Sequence, residues 1–177
     1  VSKFYYCGQM FRYERPQEGR YREFRQVGVE YFGIEHPAAD AEVISMMMKL
    51  YRRIGITETK LDLNSIGCSE CRKDFRKKLF DFVSTRISNL CDDCKVRLNR
   101  NPLRILDCKT DQQYLIEQGV PVMKDFLCND CREHYKGLKS LLETAGINYS
   151  ENPYLVRGLD YYTRTVFELK SAAAGVL

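Results

Sequence analysis

Apolar and polar positions along the chain alternate between two periods, and their succession predicts the elements. Residues 3 to 13, KFYYCGQMFRY, are rich in aromatic side chains and predict a strand, with Cys7 as a core residue of it. Residues 20 to 32 predict a second strand, and Pro16 and Gly19 in the ERPQEG stretch between them mark a loop. His36-Pro37 breaks the chain, and 38 to 54 then takes a helical period through Val43, Met47, Leu50, Tyr51 and Ile54. The Met46-Met47-Met48 run in that helix reads as adaptable core packing rather than as a soft-metal site. Gly55 stops the helix, and 59 to 66, TKLDLNSI, alternates as a strand does.

After Gly67 the texture changes. Residues 68 to 130 read as short helices and loops, with Phe75, Leu79, Phe80 and Val83 on one face of a helix over 72–84. A helix-like stretch covers 91–100, Asn101-Pro102 is a turn, and LRILD reads as extended. A helix over 132–145 turns Tyr135, Leu138, Leu141, Leu142 and Ala145 inward, and Gly146 ends it. Strands are expected at 155–159 and 162–169. This order predicts an α+β fold: an antiparallel sheet flanked by helices and interrupted by a mostly helical insertion. The boundaries that follow are 1–67 and 131–177 for the core and 68–130 for the insertion.

Composition changes this picture little. Hydrophobic residues make up 44% of the chain, enough for a packed core, and the net charge of +4 permits a polyanionic partner without demanding one. No apolar run reaches the roughly 18 residues of a membrane span. The N-terminal VSKFYYCGQM is no secretory signal, and its abrupt strand-like start, without an initiator Met, points to a piece of a larger protein.

The eight cysteines do change it. Six form three Cys-x-x-Cys pairs, Cys68/Cys71, Cys91/Cys94 and Cys128/Cys131, while Cys108 stands apart. With no mark of secretion, thiols or metal sites are favoured over structural disulfides. Cys68, Cys71, Cys91 and Cys94 have zinc-site spacing, but a helix over 72–84 would hold the two pairs roughly 20 Å apart at 1.5 Å per residue. A second grouping avoids that strain. The turn at Asn101-Pro102 returns Cys108 towards Cys91 and Cys94, and Cys128 and Cys131 complete the site. Free thiols, or disulfides formed after purification, are the competing reading.

Charge is densest in MFRYERPQEGRYREFRQVGVEYFG, residues 10–33. Such a hairpin can simply be a solvated sheet face. It can also close over a polyphosphate, because guanidinium forks pair with phosphate oxygens and Phe24 offers a shelf for a purine. Arg12 and Glu14 share one strand face; Gln26, Gly28 and Glu30 share one face of the next. A second dense cluster, LVRGLDYYTRTVFE at 155–168, gathers Arg157, Asp160, Tyr161, Tyr162 and Thr163.

Together these stretches resemble the histidyl-tRNA synthetases, a family of class II aminoacyl-tRNA synthetases. MFRYERPQEGRYREF looks like the family's motif 2, and LVRGLDYYTRTVFE like its histidine-specific motif. The hairpin alone marks only the class, whereas RGLDYYT beside it is specific. The resemblance implies ATP-dependent formation of histidyl-adenylate, with Mg2+, followed by transfer to tRNA(His). It implies a cytoplasmic homodimer with no membrane association. Residue by residue, Arg12 corresponds to the arginine on the α-phosphate and the histidine carboxylate. Glu14 corresponds to the contact with the adenine amino group, Arg20 to a γ-phosphate contact and Phe24 to the ring stacked on adenine. Gln26 and Glu30 correspond to side chains that bind the substrate's α-amino group and imidazole. Arg157 corresponds to a second arginine at the α-phosphate, where other members of the class put a metal ion. Tyr161 and Tyr162 line the histidine pocket, Tyr162 being the better partner for the imidazole.

Departures from the pattern are informative. Arg25 stands where many relatives have His. Motif 1 would precede residue 1, motif 3 would follow about residue 170, and the anticodon-binding domain lies further on. The expectation is therefore a partial catalytic domain that folds but is inactive alone. The resemblance supplies no metal for the cysteines; zinc rests on their spacing. The alternative is a synthetase-like regulatory subunit of histidine biosynthesis or a tRNA-sensing paralogue, which typically loses the arginines and the RGLDYYT run.

Overall fold

The computed structural model describes residues 1–13, 16, 21–157, 161–171 and 175–176. Two strands, β1 (Ser2–Phe11) and β2 (Glu23–Phe32), pair antiparallel from Ser2 opposite Phe32 to Phe11 opposite Glu23. They form a two-stranded sheet of their own. A second sheet has the order β4-β3-β5-β6, built from β3 (Thr59–Ser65), β4 (Ser150–Glu151), β5 (Thr165–Ser171) and β6 (Gly175–Val176). β3 pairs antiparallel with β5 and parallel with the short β4.

Helices α1 (Pro37–Arg53) and α5 (Asn129–Thr144) pack together against this sheet. Their core is Ile44, Leu61, Leu63, Leu138, Leu142 and Leu169. Alternation along the strands puts Leu61 and Leu63 on that face and leaves Asp62 and Asn64 on the other. α1 starts where His36 Nδ1 accepts from the Ala38 N–H and Pro37 occupies the first turn, a position that needs no amide. The segment 68–130 comprises α2 (Ser69–Ser84), α3 (Asp92–Arg100), α4 (Gln112–Glu117) and three 3-10 turns. It has a separate core around Phe75, Leu79, Val83, Ile105 and Leu115. Leu155, Val156 and Val166, which follow α5 in the chain, join that core.

Several expectations change. Leu50, Ile54, Phe80 and Ala145 are exposed: Ile54 and Ala145 lie at helix C-caps, and the buried stripes are narrower, through Ile44 on α1, Phe75, Leu79 and Val83 on α2, and Leu138 and Leu142 on α5. LRILD is not extended: Pro102–Ile105 is a 3-10 turn. Residues 155–157 form no strand; they are coil after β4, with Leu155 and Val156 buried and Arg157 half-buried, and the next strand begins at Thr165. Cys7 is exposed rather than core. It shares a strand face with Tyr5 and lies opposite Val27, both exposed, so no layer of the described chain covers that face.

Candidate functional site

Two asparagines, one buried and one half-buried, shape the turn that delivers Arg157. Asn64 on β3 donates to the Leu155 carbonyl at 2.9 Å and to the Pro153 carbonyl at 3.2 Å. The Asn152 N–H donates to the Leu63 carbonyl at 2.9 Å, and its side chain reaches Asp62 at 3.3 Å. The segment 152–157 is thereby hung on the polar face of the sheet. Arg157 then places Nη1 2.6 Å from Glu168 Oε1 and donates from Nη2 to the Phe167 carbonyl at 3.2 Å. Lys170 lies 3.8 Å from the other oxygen of Glu168 and 2.6 Å from Asp62. The hydrogen bond to Asp62 raises the Lys170 ammonium above its ordinary pKa.

A cavity of about 820 Å³ opens beside this network, lined by Arg12, Gln26, Arg157, Tyr162, Thr163 and Glu168 among others. It draws on the hairpin, α1, the turn and β5, so residues far apart in sequence share one wall. Arg12 donates from Nε to the Tyr21 carbonyl at 2.8 Å, and its guanidinium stacks 4.3 Å from the centre of the Phe24 ring. The shelf read as a base-binding surface is thus covered by Arg12 in this conformation. Gln26 donates to Tyr6 Oη at 2.6 Å. Thr165 Oγ1 is buried on the cavity wall without a hydrogen-bond partner among the described residues.

Other predicted residues stand differently. Glu30 borders a smaller cavity of about 190 Å³ with Lys3, Phe4 and Met46, but its charge still reaches Tyr162. Burial is the main cause that raises the Tyr162 hydroxyl; Tyr161 and Glu30 add to it, and Arg157 opposes it. Tyr161 is exposed and meets Tyr162 edge-on at 4.9 Å, outside the lining. Glu14, Arg20 and the Gly158–Asp160 part of the second motif lie outside the described residues.

The cysteines do not group as predicted. Cys91 and Cys94 are not brought to Cys128 and Cys131. One cluster is Cys68, Cys71, Cys128 and Cys131; the other is Cys91, Cys94, Cys108 and Asp111. The return of Cys108 to Cys91 is found, at 3.7 Å between sulfurs. The reason for the exchange is topological: α2 and α5 both begin at the neck of the insertion, so their first turns meet there. Burial raises the Cys131 thiol to about 12 and raises Cys94 as well, while the Cys71 amide lowers Cys68 to about 7.

Glu168, Asn64 and Asp111 escaped the sequence reading. Asp111 had a signal: it follows Cys108 at the same spacing that separates the members of each Cys-x-x-Cys pair. Glu168 closes the second motif, but only strand pairing shows that it faces Arg157.

This arrangement of hairpin, mixed sheet and converging arginines is the α+β fold of the class II aminoacyl-tRNA synthetase type. The chain belongs to the histidyl-tRNA synthetase family, whose model, described as histidyl-tRNA synthetase, matches residues 1–175. A histidine–tRNA ligase from Desulforamulus reducens is 51% identical over 173 residues, 98% of this chain and 41% of that protein. The apo histidyl-tRNA synthetase of S. aureus superposes with a TM-score of 0.71 at 41% identity, over 94% of this chain and 38% of that one. A Bacillus halodurans protein described as an ATP phosphoribosyltransferase regulatory subunit/histidyl-tRNA synthetase has a TM-score of 0.61 at 23% identity. That match covers 96% of this chain and 48% of the other and speaks for the fold alone. The chain thus spans about two fifths of the curated relative's length. Among the described residues, no helix is long and apolar enough to cross a membrane.

Proposed function

We propose that this chain is a partial catalytic domain, inactive alone, of a histidine–tRNA ligase, which activates histidine with ATP and passes it to tRNA(His). The observation that carries the reading is the convergence of Arg12 and Arg157 on one cavity with Tyr162 and Gln26. A carboxylate attacking an α-phosphate brings two anions together. Two guanidinium groups held on the same cavity offset that repulsion, and more so as charge grows at the transition state. Arg157 is suited to this because Glu168 and the Phe167 carbonyl fix its orientation before substrate arrives. Arg12 must leave the face of Phe24 for adenine to stack there, so binding is expected to move it onto the phosphates.

In this reading Glu14 contacts adenine, Arg20 the γ-phosphate, and Gln26, Glu30, Tyr161 and Tyr162 the histidine. Mg2+ enters with ATP: among the described residues the only groupings suited to a metal are the two cysteine clusters, none of whose members lines the cavity. Structural zinc in the insertion completes the set. Residues 1–67 and 131–177 form the catalytic part and 68–130 the insertion. The whole protein is a cytoplasmic homodimer. The regulatory alternative predicts no use for paired arginines.

The test is histidine-dependent ATP–pyrophosphate exchange by the full-length protein that contains this chain. Arg157→Ala is expected to lower exchange more than tenfold, since a charged hydrogen bond contributes roughly 1.5–3 kcal/mol. Exchange within about threefold of the parent would remove Arg157 from the reaction, and absence of exchange in the parent would favour the regulatory reading.

A further inference from the structure

The cysteine clusters follow one construction rule. Cys68, Cys91 and Cys128 each occupy the N-cap of a helix, and none of their thiols caps that helix's backbone. Each has a second cysteine one turn on, at 71, 94 and 131. Cys108 and Asp111 repeat the spacing immediately before α4. Each cluster therefore joins two such units. In the first, Cys68 and Cys71 sulfurs are 3.5 Å apart, and the Cys128 N–H donates to Cys71 Sγ at 3.1 Å. In the second, Cys108 Sγ is 3.7 Å from Cys91 Sγ and 3.8 Å from Asp111 Oδ2, and that same oxygen accepts from the Cys91 N–H at 3.0 Å.

In both clusters the candidate ligand atoms lie within 4.8 Å of one another. Four ligands around a zinc ion at about 2.3 Å sit about 3.8 Å apart on the edges of a tetrahedron. The observed sulfur separations match that edge, and a disulfide, at about 2.05 Å, does not. The amide donors to Cys71 and Asp111 supply the outer-shell hydrogen bonds that orient ligands and stabilise their anionic form.

We propose that the insertion holds two zinc ions, one in a four-thiolate site of Cys68, Cys71, Cys128 and Cys131 and one in a site of Cys91, Cys94, Cys108 and Asp111. This extends the structural zinc of the preceding reading from one ion to two with defined ligands, and it stands apart from the reaction in the cleft. The two sites do different work. The first closes the neck, tying the start of α2 to the start of α5 where the insertion leaves and rejoins the core. The second gathers α3 and α4, helices of nine and six residues that are too short to be stable alone. Because such sites are not formed in the unfolded chain, binding the metal contributes directly to folding.

The test is elemental analysis of the full chain purified from zinc-supplemented cells, with the same measurement on variants. Two zinc ions per chain are expected, one in Cys131→Ser, one in Asp111→Ala, and two again in Asp111→Cys. Cobalt titration of the metal-stripped wild type keeps the proposal testable if a variant fails to fold. Thiolate-to-metal absorption should saturate at two equivalents. Saturation at one equivalent, two zinc ions retained in Asp111→Ala, iron in place of zinc, or eight freely titrating thiols in the native chain would each overturn it. None of those results bears on pyrophosphate exchange, so this proposal and the ligase reading fail separately.

Discussion

Arg157, in the coil after β4, and Glu168, on β5, meet at 2.6 Å. The carboxylate is largely buried and the guanidinium is partly open to the cavity, so the pair points one positive charge at whatever enters. Glu168 is thus a positioning residue for Arg157. Glu168→Gln keeps a hydrogen bond but removes the charge, and exchange by the full-length protein is expected to fall about tenfold, near 1.4 kcal/mol. The loss should appear in kcat more than in the KM for histidine, with the melting temperature little changed. A matching fall in melting temperature with kcat intact would make the pair structural only.

Arg72, in the first turn of α2, donates from Nη1 to the main-chain carbonyl of Tyr162. The insertion therefore touches the loop that carries a cavity residue. Arg72→Met is expected to raise the KM for histidine several-fold, because a charge-assisted bond of roughly 1.5–3 kcal/mol no longer holds that loop. Arg72→Lys should recover part of it. An unchanged KM in both variants would uncouple the insertion from the pocket.

Gly67 stands at the neck with φ of +62°, and its carbonyl accepts from the Arg164 N–H at 2.9 Å. A Cβ there would lie 2.6 Å from Cys71 Cβ and 2.8 Å from Met123 Cε. Gly67→Ala is expected to destabilise the chain by at least about 2 kcal/mol, from left-handed backbone strain plus overpacking. Urea denaturation of wild type and variant measures it. A difference under half that size would mean the neck adjusts freely.

His134 gives a pH dependence with a definite sign. Its Nε2 lies 3.7 Å from Asp40 on α1, with Glu35, His36 and Arg164 also nearby. Burial is the main cause that lowers its pKa below the ordinary 6.5; Asp40 and Glu35 oppose that, while Arg164 and His36 assist it. Between the lowered value and 6.5 the unfolded chain binds more protons, so stability is full above 6.5 and is lost as pH falls through that window. Relative to His134→Gln, the wild type should lose stability between pH 7 and pH 5, read as urea midpoints. A relative gain on acidification would reverse the assignment.

What the sequence determined by itself was local or chemical. The period of apolar residues located α1, β3 and α5, because burial on one face imposes that period wherever the partner surface lies. The texture change after Gly67 marked where the short helices with a core of their own begin. The two charged motifs carried the family, since Arg12, Arg157 and Tyr162 are legible as residue types at fixed spacing. Tertiary structure decided which distant residues meet. Pairing of β3 with β5 set Glu168 opposite Asp62, with Lys170 and Arg157 reaching it, and the amides of buried Asn64 and half-buried Asn152 fixed a turn and coil where a strand was expected at 155–159. Cysteine spacing specified units but not partners: three identical pairs can combine in several ways. The choice fell to the helices at whose N-termini they sit, because the first turns of α2 and α5 are brought together at the neck, leaving Cys91 and Cys94 to Cys108 and Asp111.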